Sequence, residues 1–580
     1  MEQRWNLDDL HKNYDEAYAN LDNAHQEAKR FSEKYKAGLG IDIDQAIAEY
    51  EAISEKIERS AYYSMLDHST HMKDTKIAQH YAKIQERIAS ISKELVFFTL
   101  AINKLPNAPK QSRYLNWINH IRLMKDYELS EELEAFLCDK DLTAQNAWVR
   151  LFDEMESHLE FDFQGKTVGI SQVLEGMSNN DSDIRKSAAH ALNQGLQKDL
   201  KWIAYIFNTL MQDKMLTDKK RGFTSATHSR HIANQIEPEV VETLCTAVKK
   251  NYGNLAHRWY KMKASYLGKE KIEYWDRNAP LFVDADVNIP YDQAQQIVDS
   301  AYREFSPALA DIARKFFDNP WIDVPAKDDK RSGAFSAATV PSVHPYVLLN
   351  YQDRIRDVAT LAHELGHGVH QYLARDRGAL AQDAPLTIAE TASVFGEMLT
   401  FNYLKRSGQY NVKMLLASKI DDMINTVVRQ IAFYEFEKKV HQHRAEKGEL
   451  TIEEFAQHFV DTQKEALGDG VNIDPICHNF WAYIGHFFHT PFYVYAYAFG
   501  DCLVNSLFMA YQDASDKAAF EKNYIDLLKA GASKPYRELL QPFNLDPSDP
   551  TFWKKGLSLI TQLMDELESN LSLQEKVVAQ

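Results

Sequence analysis

Apolar residues recur every three or four positions over most of the 580-residue chain, which predicts a mainly α-helical protein. Near the start, Ile43, Tyr50 and Ile57 repeat at intervals of seven, and apolar residues between Ile77 and Phe98 alternate spacings of four and three. This pattern predicts an antiparallel helical hairpin with a coiled-coil-like seam. We interpret that hairpin as structural.

Two segments have a strand-like pattern instead. Residues 159–163 alternate into a turn at 164–165, which predicts one small β-hairpin. Residues 321–351 contain several prolines and a glycine between short apolar runs such as 333–336 and 346–349. This second segment predicts the one substantial β region of the chain.

The length exceeds that of one ordinary hydrophobic core, so two or more packed lobes are expected. A Pro-rich break at 105–109 and a change of pattern near 185–190 suggest three regions. They are an N-terminal helical hairpin region at 1–110, a small mostly helical subdomain at 111–185, and a large domain at 190–575.

The helix predicted around residues 355–369 carries the sequence His-Glu-x-x-His. Two histidines four residues apart, His363 and His367, lie on one helix face and can converge on one Zn²⁺. Glu364 is placed to take a proton from a metal-bound water. The alternative is an accidental match on a core helix.

A catalytic zinc needs a third protein ligand. His370 is a poor candidate, because side chains at i, i+4 and i+7 span about 10.5 Å of straight helix. Glu390 and Glu397 share a face of the next predicted helix. The Glu390 carboxylate can instead bond a backbone N–H in a capping box with Thr387. Periodicity does not decide between this role and that of a metal ligand. Glu397 can accept from the N–H of a ligand histidine, or it can be solvated or have a structural role.

The stretch His-Glu-Leu-Gly-His-Gly-Val-His at 363–370, followed by Ile-Ala-Glu-Thr-Ala-Ser at 388–393, resembles the oligoendopeptidase F family, thimet-oligopeptidase-like gluzincin metallopeptidases. Further similar segments extend over nearly the whole chain, at 4–7, 279–281, 330–336, 345–350, 491–497 and 552–557. The resemblance implies a two-lobed helical zincin fold, with a small β-ribbon beside the His-Glu-x-x-His helix and a deep central channel.

The resemblance also implies a ligand set and a reaction. His363, His367 and Glu390 are expected to hold one Zn²⁺ per chain, and Glu364 to be the general base for a zinc-bound water. The expected reaction is hydrolysis of internal bonds in short unfolded peptides. An extended substrate is expected to pair with an edge strand directly before the zinc helix.

A second candidate segment is rich in histidine and tyrosine. Tyr493 and Tyr497 are predicted to share a helix face, with Pro491 in the first turn of that helix and Tyr495 pointing elsewhere. A Tyr-rich core helix is the alternative. The resemblance implies that His486 and a tyrosine stabilise the oxyanion. The tyrosine is not fixed, because this segment is one residue longer than the family pattern.

The same segment raises one other interpretation, a separate metal site. Its ligands would be Cys477, His478, His486 and His489, whose spacing fits no common zinc pattern.

The net charge of −17 argues against a nucleic-acid partner. Four scattered cysteines without a Cys-x-x-Cys pair, and an N-terminus without an apolar leader, indicate a cytoplasmic protein. The apolar stretch 481–511 contains His486, His489, Pro491 and Asp501, so we expect a buried helix and no membrane span. The composition does not fix the oligomeric state.

Three alternative functions stay open. A metallocarboxypeptidase of similar helical build needs a cationic group that captures a free C-terminal carboxylate. A peptide-binding protein could retain zinc without turnover. A purely structural helical protein would bind no metal at all.

Overall fold

The computed structural model describes residues 3–38, 42–106, 111–282, 287–327 and 329–578. Its α-helices are α1 (Tyr14–Tyr35), α2 (Ile43–Thr70), α3 (Thr75–Asn103), α4 (Leu115–Arg122), α5 (Glu131–Asp141), α6 (Gln145–His158), α7 (Ile170–Gly176), α8 (Ser182–Arg221), α9 (His228–Ala233), α10 (Pro238–Lys250), α11 (Arg258–Tyr266), α12 (Tyr291–Phe305), α13 (Pro307–Asp318), α14 (Ile355–Ala374), α15 (Leu386–Ala389), α16 (Thr391–Ser407), α17 (Val412–Ile424), α18 (Gln430–Lys447), α19 (Ile452–Leu467), α20 (His486–His489), α21 (Tyr495–Asp513), α22 (Lys517–Ala530), α23 (Tyr536–Leu540) and α24 (Pro550–Val578). Its strands are β1 (Phe161–Phe163), β2 (Lys166–Val168), β3 (Ile272–Glu273), β4 (Ile322–Pro325), β5 (Phe335–Ala337), β6 (Tyr346–Tyr351) and β7 (Val471–Asn472).

The chain forms two compact units, and the predicted mainly α, two-lobed architecture is confirmed. Unit 1 consists of Met1–Ala135, Asp286–Tyr410 and Ala510–Asp546. Unit 2 consists of Phe136–Ala285, Asn411–Met509 and Pro547–Gln580. The three predicted sequence regions and the channel stay predictions, and the break expected near residue 110 falls partly on 107–110, outside the described residues.

Unit 1 begins with a bundle of α1, α2 and α3. The predicted hairpin corresponds to α2 and α3, and α1 packs on both. Phe31, Tyr50 and Phe98 form an aromatic cluster between the three helices, with ring centroids 4.9–6.2 Å apart. The seam is therefore filled by aromatic rings as well as aliphatic side chains.

A three-stranded sheet in unit 1 precedes the His-Glu-x-x-His helix, as the strand-like pattern predicts. Its order is β4-β6-β5, with β4 parallel and β5 antiparallel to β6. The expectation of an edge strand directly before the helix is wrong, because that strand is β6, which is paired on both sides. The chain turns back between β5 and β6, so these two strands pair with each other. Because β4 pairs with the other side of β6, β6 is central and β5 lies at the edge.

Unit 2 is built around the 40-residue helix α8. The ring of Phe207 on α8 stacks with Phe455, Trp481 and Phe487 at 5.2–6.1 Å. The predicted hairpin is present as β1 and β2, with Phe161 opposite Val168.

The stretch 481–511 contains α20, a turn and most of α21, and most of its apolar side chains are buried in the protein. Among the residues that the structure describes, no helix combines the length and apolar character needed to cross a membrane.

Candidate active site

Helix α14 presents His363 and His367 on one face. Asp357 stabilises the start of the helix, because its Oδ2 accepts from the backbone N–H groups of Gln352 and Arg354 at 2.9 and 3.1 Å. The opposite face of α14 is fully buried and consists of Val358, Leu361, Ala362, Leu365 and Val369. The two histidines, on the other face, keep 26% and 19% of their side-chain surface exposed.

Glu390 faces both histidines. Its Oε2 lies 3.4 Å from His363 Nε2 and 3.3 Å from His367 Nε2, and the three ligand atoms all lie within 4.8 Å of one another. Ser393 Oγ donates to the same carboxylate oxygen at 2.6 Å. The structure thus brings together the three side chains that the sequence suggested as metal ligands.

The competing capping box is not formed. Thr387 lies inside the short helix α15, and Glu390 is the residue between α15 and α16. The Glu390 carboxylate therefore points at the histidines and does not bond the start of a helix.

The electrostatics of this cluster favour positive charge. Burial alone raises the pKa of Glu390, but hydrogen bonding to His367 and the charges of both histidines lower it to about 2. Burial alone lowers the pKa of His363, but the hydrogen bond and charge of Glu397, with Glu390 and Glu364, raise it to about 9. Clustered carboxylates of this kind suit a bound cation.

Glu397 contacts the other side of the His363 ring. Its Oε1 lies 2.5 Å from His363 Nδ1, so the ring is held between Glu397 and Glu390. The sequence placed Glu397 on the correct face but could not decide between this role and a structural one.

Glycines let α14 and α16 approach at backbone distance. A Cβ on Gly366 would lie 2.6 Å from Ser393 Cα, and one on Gly396 would collide with the hydroxyl of Tyr302. That hydroxyl donates to Ala362 O at 2.6 Å. The backbones of α14 and α16 are therefore closely packed beside the candidate metal site, where Tyr302 adds a contact that the sequence did not indicate.

Glu364 directly follows His363 on α14, and His370 lies about two turns beyond His363. Glu364 is 8% exposed, and burial raises its pKa, an effect that the charges of His363 and His367 oppose. His370 is buried and belongs to no candidate metal cluster among the described residues, as its spacing predicts.

His486, Tyr493 and Tyr497 form a second cluster, in unit 2. His486 Nε2 lies 3.0 Å from Tyr497 OH, and the Tyr493 ring centroid lies 5.2 Å from that of Tyr497. Tyr495 points elsewhere, as predicted: it is buried, and its hydroxyl accepts from Asn234 Nδ2 at 2.8 Å.

The turn before α21 corrects one expectation. The helix begins at Tyr495, so Pro491 is not in its first turn and Tyr493 precedes it. Phe492 has φ +61°, a strained conformation for a bulky residue. Its N–H donates to Glu437 Oε1 at 2.7 Å, and Arg230 Nε donates to Pro491 O at 3.1 Å. These distant partners carry no local signal in the sequence.

The separate metal site proposed for Cys477, His478, His486 and His489 is wrong. In the described part of the chain, His363, His367 and Glu390 are the one group that could hold an ion. His489 instead lies 2.6 Å from Asp153.

The fold and this constellation define a helical peptidase with a His-Glu-x-x-His helix, and comparisons with known proteins identify its family. The profile described as peptidase family M3 matches residues 176–559, and the one described as oligopeptidase F matches residues 101–161. The chain therefore belongs to peptidase family M3, and the resemblance to oligoendopeptidase F is confirmed.

Individual relatives cover nearly the whole chain. It is 25% identical to oligopeptidase PepF of Bacillus subtilis, over 98% of this chain and 87% of that protein. It is 26% identical to an oligoendopeptidase F homologue of Borreliella burgdorferi, over 92% of each. The crystal structure of oligoendopeptidase-F from Enterococcus faecium superposes with a TM-score of 0.70 at 20% identity, over 96% of this chain and 98% of that one. This structural similarity, at 20% identity, shows that the two proteins share a fold.

Proposed function

We propose that this peptidase is a zinc-dependent oligoendopeptidase that hydrolyses internal bonds of short unfolded peptides. The observation that carries the proposal is the convergence of His363 Nε2, His367 Nε2 and Glu390 Oε2 beside Glu364.

The donor set suits one zinc ion per chain. Two imidazole nitrogens and one carboxylate oxygen are the ligands of a catalytic zinc with one open position. Glu397 fixes the His363 ring so that Nε2 is directed at the site. Zinc supplies Lewis acidity there, polarising the scissile carbonyl and acidifying the attacking water.

Glu364 moves the proton in this proposal. Its carboxylate takes a proton from the attacking water and delivers it to the leaving amine. Burial, which raises its pKa, makes it a better base than an exposed glutamate.

His486 and one of Tyr497 and Tyr493 are proposed to donate to the oxyanion, a role that the family resemblance supports. Partial desolvation and the charges of His489 and Arg429 lower the pKa of His486, which favours the neutral imidazole, a form that can donate through one N–H. The Tyr497 hydroxyl bonds that ring directly, which favours Tyr497 over Tyr493.

The family supports peptide substrates, and relatives that are named oligopeptidases support the proposal of short ones. Because β5 lies at the edge of its sheet, we propose Phe335–Ala337 as the segment with which an extended substrate pairs. We also propose a cytoplasmic location, which three buried free cysteines support: Cys245, Cys477 and Cys502.

The test uses a peptide of about ten residues blocked at both ends, a length suited to an extended substrate. Wild-type protein is expected to cut it internally, and a chelator to abolish cutting until zinc is restored. Glu364→Gln should keep zinc and lose nearly all turnover, because the amide cannot move the proton.

Three results would contradict parts of the proposal. Activity of Glu364→Gln above about a tenth of wild type would remove the base assignment. A requirement for a free C-terminus with release of single residues would indicate a carboxypeptidase. Equal cutting of the same sequence on a loop of a folded carrier would exclude a preference for unfolded peptides.

A further inference from the structure

A cavity of about 620 Å³ lies within unit 2, beside the His486 cluster. Besides His486, Tyr493 and Tyr497, its walls contain Arg429, Gln430 and Glu156. The oxyanion role proposed for His486 and the tyrosines leaves the other polar groups of this cavity without a function.

Arg429 is a half-buried cation without a counter-ion. Its Nε is buried and makes no hydrogen bond, and it forms no ion pair with any described carboxylate. The Arg429 guanidinium lies 4.9 Å from the ring centroid of Phe433. This ring holds the guanidinium in place but offers it no hydrogen-bond acceptor. By contrast, the buried Arg185 is paired with Asp276 at 2.8 Å. Because enclosing an unpaired charge costs free energy, an arginine in this setting suits an anionic ligand.

The backbone places Arg429 and the next residue on one cavity wall. Residues Asn425–Arg429 form a π-helical turn that ends where α18 begins. Such turns are rare and are frequent at functional sites. In a regular helix, neighbouring side chains diverge by about 100°, but here Arg429 and Gln430 both line the cavity.

Gln430 complements the cation. Its Oε1 is buried and accepts no hydrogen bond within the protein. A free donor group at Arg429 beside a free acceptor at Gln430 matches a carboxylate next to a peptide N–H.

Glu156, the carboxylate of the cavity wall, does not neutralise Arg429. The two form no ion pair, and burial and the neighbouring Asp153 raise the pKa of Glu156, which favours its uncharged form. The cavity thus retains an unsatisfied positive group.

We propose that Arg429 binds a carboxylate of the peptide substrate in this cavity, with Gln430 accepting an adjacent peptide N–H. The inference rests on the proposed peptidase function and assigns a specificity-determining residue to it. The carboxylate comes from a free peptide C-terminus or from an acidic side chain, and the experiment separates these sources.

The test measures peptide affinity in the Glu364→Gln background, in which cleavage should be blocked. Three kinds of fluorescent peptide with one parent sequence are compared. The first has a free C-terminus and no acidic residue, and the second is its C-terminal amide. The third is a set of amidated peptides, each with one Gln→Glu substitution at a different position. We expect a carboxylate at one of these places to tighten binding by about tenfold or more, the range of a charge-assisted hydrogen bond.

Substitution of Arg429 should remove that preference. Arg429→Gln should lower the affinity for the favoured peptide by the same factor and leave the affinity for the peptide without a carboxylate unchanged. A double-mutant cycle measures this coupling. Arg429→Lys should keep part of the preference, because it keeps the charge. Arg150→Gln, at a side chain 82% exposed, is the matched control and should keep all of it.

Each outcome bears on the proposal. Preference for the free C-terminus, or for glutamate at one position, supports it and identifies the source. Equal weakening of all three peptides in Arg429→Gln would show a packing role on Phe433 and overturn it. If wild type cuts peptides but no variant changes the carboxylate preference, this inference alone fails. If wild type neither cuts nor binds peptides, the proposed function fails too. Circular dichroism of each variant checks folding, and the lysine variant carries the test if the glutamine variant does not fold.

Discussion

Glu397 Oε1 lies 2.5 Å from His363 Nδ1, on the side of the ring opposite the Nε2 atom that faces Glu390. An acceptor at Nδ1 fixes both the orientation of the imidazole and its tautomer, and it makes the other nitrogen a better ligand. The contact joins α14 to α16 across the same interface that Gly366 opens.

Replacement of Glu397 should weaken metal binding without abolishing it. Glu397→Ala leaves all three ligand atoms in place but frees the His363 ring, so zinc affinity is expected to fall about 10- to 100-fold. Competition with a chelator measures this affinity. Glu390→Ala, which removes a ligand, should lose more. An unchanged zinc affinity in Glu397→Ala would contradict its role in orienting His363. A loss of affinity equal to that of Glu390→Ala would contradict the distinction between Glu397 as an orienting residue and Glu390 as a ligand.

Gly366 should tolerate a methyl group less well than Gly368. A Cβ at Gly366 meets the backbone of Ser393 at 2.6 Å, whereas one at Gly368 meets the ring of Phe316 at 2.8 Å. A ring can rotate away and a helix backbone cannot, so Gly366→Ala should destabilise by about 1–3 kcal/mol and Gly368→Ala by less. Thermal denaturation with zinc analysis measures both. A melting temperature of Gly366→Ala equal to that of wild type would show that α14 and α16 separate easily.

Local spacing was enough to predict two of the three candidate metal ligands. His363 and His367 lie on one helix, so their four-residue separation determines their geometry. Glu390 needed the family resemblance, because Thr387 offered an equally good local partner. The contact of Glu397 with His363 depends on how α14 crosses α16, which periodicity does not contain.

Contacts between residues far apart in the sequence explain the two wrong predictions, the edge strand before the helix and the position of Pro491. The pattern located the strands but could not show that β6 is central, since strand order depends on β4 and β5 together. Similarly, Pro491 resembles a helix start. The turn is instead extended to Tyr495 by Glu437, which is 55 positions from Phe492 in the sequence and bonds its N–H.

Tyr497 is expected to matter for catalysis more than Tyr495. Tyr497→Phe removes the hydroxyl that bonds His486, so kcat/KM should fall about 10²- to 10³-fold while zinc stays bound. Because the lost interaction belongs to the transition state, kcat should change more than KM. Tyr495→Phe loses its bond to Asn234 and is the matched control: it should lower the melting temperature with little change in kcat.

A double variant checks whether the two groups act together. If His486 positions Tyr497, His486→Ala combined with Tyr497→Phe should cost less than the sum of the single losses. Full additivity would show that His486 and Tyr497 act independently, and a larger loss in Tyr493→Phe than in Tyr497→Phe would assign the donor to Tyr493.

His441 should make the folded protein sensitive to acid. It is buried against Phe492, with ring centroids 4.5 Å apart, and its Nε2 makes no hydrogen bond. Burial, with a smaller effect from Lys214, lowers its pKa to about 3, against roughly 6.5 in the unfolded chain. Between these values the unfolded chain binds a proton that the folded protein does not. Stability is therefore lost as the pH falls below about 6.5, by about 2 kcal/mol between pH 7 and pH 5 for this group.

His441→Phe should remove that dependence, because phenylalanine has a similar shape and does not titrate. The measurement is the free energy of unfolding of the protein in urea at pH 7 and pH 5, followed by a probe on α18. The variant should lose about 2 kcal/mol less than wild type over this range. His441→Gln separates titration from apolar burial: it should be less stable than His441→Phe at both pH values yet show the same reduced dependence on pH. An unchanged pH dependence in both variants would mean that His441 binds a proton in the folded protein as readily as in the unfolded chain.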